Sequence, residues 1–315
     1  MQVANPIYDT VFKYLMSDSR IAKAILSSII GEKIEELDFQ PQEYTLKAGI
    51  DKTEIDRTLE QLRVCRIDFG AKIKTDNGYK TVIIELQKAK LSTDIMRFRQ
   101  YLGKMYENPE NSYEVKSNSD KLPNQKKARQ IYCIYFLNYE VGFGDRPVIE
   151  VGYIVRDRWT KQEITEKNEF IESLTHNSWI IQVQKLKGKR RDETEKLLSI
   201  FDQDNLTNDQ HILNVDDSQF PEKYRFIIKK LREAFESEQV REEMRAEDDF
   251  FNELLNLQKQ LEKEIEENKK KDEELERKDE ELEKEREENK KKDEENAKLK
   301  EELEKYKKLY EGQNK

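Results

Sequence analysis

Two carboxylates and one amide interrupt segments of the chain that are otherwise apolar. Asp68 lies in the segment RIDFGA, and Glu85 and Gln87 lie in the segment VIIELQ. Burying a carboxylate is costly unless its charge is compensated, and a divalent cation is the usual means of keeping two neighbouring carboxylates ionised. Mg²⁺ prefers such oxygen ligands, polarises a phosphoryl oxygen and makes a bound water easier to deprotonate. These residues are the minimal equipment for hydrolysing a phosphodiester.

The two segments are predicted to pair as a β-hairpin. Apolar residues alternate with period two on either side of Asn77-Gly78, a strong hairpin turn signal. A two-residue loop at this dipeptide places Asp68 opposite Gln87 and Gly70 opposite Glu85. Alternation along the strands then puts Asp68, Glu85 and Gln87 on one face of the sheet. The alternative is that Asp68 and Glu85 lie on the solvent face of an edge hairpin, where alternation also places polar residues.

The surrounding periodicity predicts the elements that position this hairpin. Helical spacing predicts two short helices, the second of which ends at Gly31, a suitable left-handed cap. It also predicts a further helix from Ile95 to Met105. The segment 108–130 is rich in polar residues and is predicted to be a loop, whereas residues 192–246 are predicted to be helical. Apolar and β-branched runs predict strands at 64–73, 79–86, 131–137, 148–155 and 179–186.

Four fragments of the chain form an ordered series, namely YDTVFK from Tyr8, RID from Arg66, IELQ from Ile84 and RFRQYLGKMY from Arg97. In order and spacing this series resembles the PD-(D/E)XK nuclease family transposases, also described as recombination-promoting nucleases. The similarity runs from about Asn5 to about Lys187. The resemblance implies an α/β fold with a mixed central sheet flanked by helices. It also implies Mg²⁺-dependent endonucleolytic cleavage of DNA, with Mn²⁺ as a possible substitute, and a link to recombination or transposition.

The resemblance assigns roles by position. Asp68 and Glu85 become the metal-binding catalytic carboxylates, and Gln87 stands where the wider superfamily has Lys. A neutral amide can place a water or hold a phosphate oxygen, but it cannot supply the charge of Lys. Lys88 or Lys90 could compensate, although Lys88 should point to the opposite face of the sheet.

The same resemblance suggests residues that support the site. Asp9 and Lys13 are one helical turn apart and could approach the site, or they could form only a surface bridge. Arg97 and Tyr101 share a helix face, and Arg97 could contact a phosphate or pair with a carboxylate.

A dense basic cluster is a candidate contact for DNA. It consists of Lys185, Lys187, Lys189, Arg190 and Arg191. Such a cluster can neutralise phosphates even though the chain carries a net charge of −9, because the field near DNA is set locally. The alternative is a solvated charged loop.

Charge is distributed unevenly along the chain. Residues 247–315 contain 26 acidic and 18 basic side chains, so they carry nearly all of the net charge. We therefore predict a nuclease-like domain over residues 1–191, a helical extension over 192–247 and a charged tail over 248–315.

The tail repeats every seven residues. One seam carries Leu254, Leu261, Asn268, Leu275, Leu282, Asn289, Asn296, Leu303 and Tyr310. The second seam is polar except at Phe251 and Ile265. The tail is therefore either a weak coiled coil, which would make the protein a homo-oligomer, or an isolated helix stabilised by Glu-to-Lys pairs four residues apart.

Several protein classes are disfavoured. No apolar run approaches the roughly 20 residues of a membrane span, and the N-terminus lacks signal-peptide order, so we expect a cytoplasmic protein with no membrane partner. Cys65 and Cys133 lie in apolar runs and are expected to be buried thiols. His176 and His211 are isolated from acidic or thiol partners and suggest no triad or zinc site.

Two functions remain. The first is a metal-dependent endodeoxyribonuclease. The second is a catalytically silent relative that acts as a DNA-binding or coiled-coil interaction module.

Overall fold

The computed structural model describes residues 1–39, 69–76, 78–88, 94–115 and 125–313. Residues 1–249 form one compact unit, and residues 250–315 form a second. The predicted catalytic residue Asp68 lies outside the described residues, as do Cys65, Asn77 and Lys90.

The first unit is built from short strands and helices. The strands are β1 (Gln2–Ala4), β2 (Ile34–Phe39), β3 (Phe69–Thr75), β4 (Gly78–Gln87), β5 (Ser112–Val115), β6 (Gln125–Ala128), β7 (Gln130–Leu137), β8 (Val148–Val151), β9 (His176–Gln182) and β10 (Ile212–Asn214). The helices are α1 (Asp9–Met16), α2 (Ser19–Ile30), α3 (Asp94–Glu107), α4 (Glu169–Ser173), α5 (Glu193–Leu198), α6 (Arg225–Glu236) and α7 (Glu238–Gln313), the last of which continues into the second unit.

Six strands form a mixed sheet in the order β2-β3-β4-β7-β9-β8. The first three are antiparallel, β4, β7 and β9 run parallel, and β8 returns antiparallel to β9. The α3 segment lies between the parallel strands β4 and β7 in the chain, as a parallel pairing requires a long crossover. The predicted α/β fold with a mixed sheet and flanking helices is confirmed.

The two faces of β4 belong to different apolar clusters. Val82 and Ile84 belong to the main core, which also contains the buried residues of α1 and α2. Ile83 points the other way and packs with Tyr101 and Met105 of α3. Because both faces are covered, every residue of β4 from Lys80 to Gln87 is buried.

The helix α2 has both of its predicted end signals. Asp18 accepts hydrogen bonds from the backbone N–H groups of Arg20 (2.9 Å) and Ile21 (3.3 Å). Gly31 adopts φ 75°, so the predicted left-handed cap is confirmed.

The predicted register of the β3–β4 hairpin is wrong by two residues. Thr75 pairs with Gly78, and Gly70 lies opposite Ile83 rather than Glu85. A shift of two residues keeps every side chain on its face. The apolar pattern therefore fixes the face of each residue but not its position along the partner strand.

Two predicted segments contain unexpected strands. The predicted loop 108–130 includes β5 and β6, which pair with each other, and the predicted helical stretch 192–246 includes β10, which pairs with β1. The strands β1 and β10 are each three residues long and lie more than 200 residues apart in the chain, so no local pattern reveals their pairing. The strands β8 and β9 also end earlier than predicted, at Val151 and Gln182.

The second unit is a continuous part of α7, as predicted for a helical tail. Between Glu262 and Lys305 all its side chains are exposed. Among the described residues, no helix has the length and apolarity needed to cross a bilayer.

Candidate functional site

Glu85 and Gln87 lie on an interior strand. Their side chains are only 3% and 5% exposed, and β4 pairs with β3 on one side and β7 on the other. The alternative of a solvent-exposed edge hairpin is therefore wrong for Glu85. Gln87 donates a hydrogen bond from Nε2 to Oε1 of Glu85 at 2.8 Å, so the structure brings these two predicted residues together.

The Glu85 side chain borders a small cavity beneath α3. Its volume is about 10 Å³, close to the space that one water molecule needs. The lining consists of Ile83, Glu85, Phe98, Tyr101, Leu102, Cys133 and Tyr135. Tyr101, predicted as a supporting residue, is 3% exposed and forms part of this wall.

Burial keeps two titratable groups of the cavity wall, Cys133 and Tyr135, in their neutral forms. Burial raises the pKa of the Cys133 thiol to about 12. Burial also raises the pKa of Tyr135, and the charges of Cys133 and Glu85 add to this effect. Removing a proton from either group in this apolar surrounding is costly. Cys133 is therefore the buried, unreactive thiol that the sequence predicts, and neither group is a ready nucleophile.

The site lies at the carboxyl edge of the parallel strands. The backbone N–H of Asn138, directly after β7, donates to the carbonyl of Gln87 at 2.9 Å. The Asn138 amide also donates to the carbonyl of Lys88 at 3.2 Å. In open α/β sheets this edge is where ligands commonly bind.

Lys88 points away from Gln87, as predicted. Its Nζ lies 3.6 Å from the centroid of the Tyr8 ring and pairs with Asp248. The charge of Lys88 is therefore engaged on the α1 side of the sheet, and it does not supply a positive charge beside Gln87.

The predicted pair Asp9 and Lys13 forms, with 2.5 Å between Oδ2 and Nζ. The backbone N–H of Asp9 donates to Glu247 at the start of α7 (3.1 Å), so the first turn of α1 faces that helix. The Oδ1 atom of Asp9 is buried and has no hydrogen-bond partner among the described residues. Asp9 can thus accept one more donor. The side chain of Arg97 lies outside the described residues, although its backbone belongs to α3.

The five predicted DNA-binding residues are all engaged in ion pairs. These pairs are Lys185–Glu140 (2.7 Å), Lys187–Asp204 (2.5 Å), Lys189–Asp145 (2.5 Å), Arg190–Asp202 (3.3 Å) and Arg191–Glu195. The side chains of Lys187 and Arg191 remain the most exposed, at 71% and 67%. Both partners of the Lys187–Asp204 pair are exposed, so Lys187 can exchange its carboxylate for a phosphate at little cost, whereas Glu195 is buried and would lose its cation if Arg191 did the same.

Sequence reasoning missed a polar cluster around Asp248. This carboxylate accepts from the Tyr8 hydroxyl (3.1 Å), lies 2.9 Å from His211 Nε2 and pairs with Lys88. Burial opposes the charge of Asp248, but Lys88, Tyr8 and His211 outweigh it and lower its pKa. The predicted isolation of His211 is wrong, because it also lies 2.7 Å from Asp209. Asp209 is only two residues away, a local signal that was available in the sequence.

The donors that the structure describes suit a hard cation only in part. Glu85 supplies an oxygen ligand of the type that Mg²⁺ prefers, and its predicted partner Asp68 lies outside the described residues. Among the residues that are described, no three His, Cys, Asp or Glu side chains converge as a metal site.

Comparison with protein-family models, with curated proteins and with solved structures finds no match for this chain.

Proposed function

We propose that this protein is a Mg²⁺-dependent DNA endonuclease that hydrolyses phosphodiester bonds, with Mn²⁺ as a possible substitute. The observation that carries the proposal is the Glu85–Gln87 pair, buried on an interior strand at the carboxyl edge of a mixed sheet. A carboxylate is costly at such a position. The chemical pattern and the mixed sheet are those that the resemblance to PD-(D/E)XK nuclease family transposases implies. The link to recombination or transposition rests on that resemblance.

Asp68 and Glu85 would hold the metal ion. When bound, the ion supplies polarisation of a phosphoryl oxygen and a lowered pKa for water. The Gln87 amide fixes the Glu85 carboxylate through its Nε2 donor at 2.8 Å. Its Oε1 can accept a hydrogen bond from a water. Tyr101 closes the cavity wall and limits the access of bulk water to Glu85.

DNA would approach from the side of the basic cluster. The basic cluster follows β9 directly and β4 is parallel to β9, so the cluster and Gln87 belong to the same edge of the sheet. A phosphate would displace Asp204 from Lys187, the pair whose two partners are both well exposed, and the exposed guanidinium of Arg191 could contact a phosphate while it stays paired with Glu195.

A catalytically silent DNA-binding or coiled-coil interaction module is the second candidate. Two observations favour it. Gln87 lacks the positive charge of the superfamily Lys, and the cavity beside Glu85 has room for only about one water.

Nicking of supercoiled plasmid DNA separates the two candidates. The full chain is assayed with Mg²⁺, Mn²⁺ and excess EDTA, beside Asp68→Ala and Glu85→Gln. Glu114→Gln is the matched control, because Glu114 is exposed on β5. We expect nicking that requires the metal, survives in Glu114→Gln and falls at least about a hundredfold in Asp68→Ala and Glu85→Gln, since each removes an anionic ligand.

Gln87→Lys provides a gain-of-function arm. The ammonium would lie where the amide now contacts Glu85 and would add the missing charge. Nicking by the wild type that persists in EDTA or in Glu85→Gln contradicts the nuclease proposal. If the folded wild type fails to cut DNA with every divalent ion tested, whereas Gln87→Lys does cut, the chain is a silent relative with an intact site.

A further inference from the structure

One face of α7 carries apolar side chains that are exposed in the part of the chain that the structure describes. Leu275, Leu282 and Leu303 recur at multiples of seven residues, and Ile265 lies on the adjoining seam. Each of these four side chains is 50 to 59% exposed. A helix that is otherwise charged gains by burying such a stripe against a partner.

We propose that α7 pairs with a second copy of this chain as a parallel, in-register, two-stranded coiled coil. In heptad notation the seam that contains Leu275 and Leu282 occupies the d positions, and the seam that contains Phe251 and Ile265 occupies the a positions. Each g residue directly precedes an a residue, and each e residue directly follows a d residue. In a parallel pair a g residue faces the e residue five places later on the partner.

All four charged g-to-e pairs in the middle of the tail are attractive. They join Glu264 to the partner's Lys269, Lys271 to the partner's Glu276, Lys278 to the partner's Glu283 and Glu285 to the partner's Lys290. Residues five apart do not face each other within one helix, where contacts occur at three and four. This pattern of signs therefore has an effect only between two helices.

The charged residues of the a seam are compensated in the same arrangement. The a positions Asp272, Asp279, Arg286 and Asp293 are each preceded by a g residue of opposite sign, in the order Lys271, Lys278, Glu285 and Lys292. In a parallel pair, the residues that surround an a side chain include the partner's preceding g residue. Asp272 thus meets the partner's Lys271, which offsets the repulsion between the two copies of Asp272.

Other registers lose these contacts. A shift by one heptad places Glu264 against the partner's Glu276 and Lys278 against the partner's Lys290. The shift also separates Asn289 from the partner's Asn289. Because polar residues in a seam favour the register in which they meet, this separation disfavours the shifted register.

An antiparallel pair centred near Arg277 is the strongest competitor. It places Asp272 against the partner's Leu282 and Lys278 against the partner's Lys278. The acidic excess of the tail also disfavours a nucleic acid as its partner. The antiparallel pair also places Lys271 against the partner's Glu285, so its g pairs are mixed in sign, whereas all four charged g-to-e pairs of the parallel pair are attractive. A second, parallel copy is therefore the occupant that the charges favour.

Charge reversal at the g positions tests the pairing. Sedimentation equilibrium of the full chain is compared with Lys271→Glu/Lys278→Glu and with the control Lys284→Glu/Lys291→Glu. Every replaced Lys follows a Glu by four residues, and both variants change the net charge equally. The control lysines also precede Glu288 and Glu295 by four residues, so the control loses more pairs within its helix than the g variant does. Lys284 and Lys291 lie at f positions, away from the partner.

We expect the wild type to dimerise, the g variant to dissociate at least about tenfold more readily, and the control to stay within about twofold of the wild type. Mixing the g variant with Glu276→Lys/Glu283→Lys should restore a dimer. A monomeric wild type at high concentration, or equal effects of the two double variants, overturns the proposal.

Disulfide trapping tests the direction. In a parallel, in-register pair the two copies of Leu282 meet, so Leu282→Cys should form a disulfide-linked dimer on mild oxidation. An antiparallel pair matches d positions with a positions and keeps the two Cys side chains apart. Lys284→Cys, at an outward position, is the control. Linkage at residue 284 but not at residue 282 contradicts the parallel arrangement.

Discussion

Glu247 is expected to make the stability of the first unit depend on pH. Its carboxylate accepts hydrogen bonds from the backbone N–H groups of Asp9 (3.1 Å) and Thr10 (3.5 Å) at the start of α1. Burial raises the pKa of Glu247 from 4.5 to about 7, and the charge of Asp9 adds to the rise, whereas the two backbone donors and Lys88 oppose it. The folded protein therefore holds this proton more tightly than the unfolded chain.

The sign of the effect follows from this difference. A raised carboxyl pKa contributes stability that is complete below about pH 4.5 and is lost as the pH rises through about 7. At 1.36 kcal/mol for each pKa unit, the whole effect is about 3 kcal/mol. Between pH 5 and pH 8 the loss is about 2 to 3 kcal/mol.

The assay compares urea unfolding of the wild type and Glu247→Gln from pH 5 to pH 8. Trp fluorescence is the suitable signal, because Trp179 is buried in β9 while the long α7 dominates helical circular dichroism. The difference in unfolding free energy isolates Glu247 from other titrating groups. We expect the wild type to lose about 2 to 3 kcal/mol relative to Glu247→Gln as the pH rises.

Glu242→Gln is the control, since Glu242 is exposed on the same helix. Its difference from the wild type should stay flat. If the Glu247→Gln difference is flat as well, the raised pKa is refuted. If the wild type instead gains stability with pH, the α1 backbone donors and Lys88 outweigh burial.

Three further experiments test the packing of the first unit. The Lys80 side chain is 2% exposed and pairs with Glu32 at 2.6 Å, so Lys80→Met should lower the unfolding free energy by about 3 to 5 kcal/mol, measured in urea. Adding Glu32→Gln to this variant should recover part of the loss. Gly31→Ala should cost about 1 kcal/mol because of its φ of 75°, with Gly31→Asn costing less, and thermal unfolding that is unchanged by either variant would contradict the cap. In a Cys65→Ser background, Cys133 should react with a thiol reagent only as fast as the protein unfolds, because burial raises its pKa to about 12; rapid labelling of the native protein would count against this.

Local patterns predicted the parts of the fold that local physics determines. The spacing of Val11, Phe12, Leu15 and Met16 gave α1, and all four residues are buried. The Gly31 cap is confirmed because a left-handed residue leaves a strong compositional signal. The face of Glu85 and Gln87 is also correct, since alternation depends only on the parity of residue numbers.

Contacts between distant segments could not be predicted in this way. Tyr8 and Asp248 meet across 240 residues of sequence, and no local pattern indicates that His211 joins them. The carboxylates that neutralise the basic cluster show the same limit. Glu195 lies four residues after Arg191 and was recognisable, whereas Glu140 reaches Lys185 only through the fold.

Burial of a carboxylate alone does not identify a functional site in this protein. Glu32, on the main-core side of the sheet, receives Lys80, the Thr75 hydroxyl (2.6 Å) and the Tyr132 hydroxyl (3.3 Å), so a cation and two neutral donors satisfy it. This is the pattern of a structural ion pair.

Glu85 differs in the type of its neighbours. Gln87, which contacts it at 2.8 Å, is a neutral amide, and the space beside it is a cavity with an aromatic wall. An apolar pair at these two positions would extend the apolar cluster of Ile83 and avoid the cost of desolvating a charge. Glu85 also lies beside a cavity at the carboxyl edge of the parallel strands, where ligands commonly bind, and this is the physical reason to look for a ligand at Glu85 before Glu32.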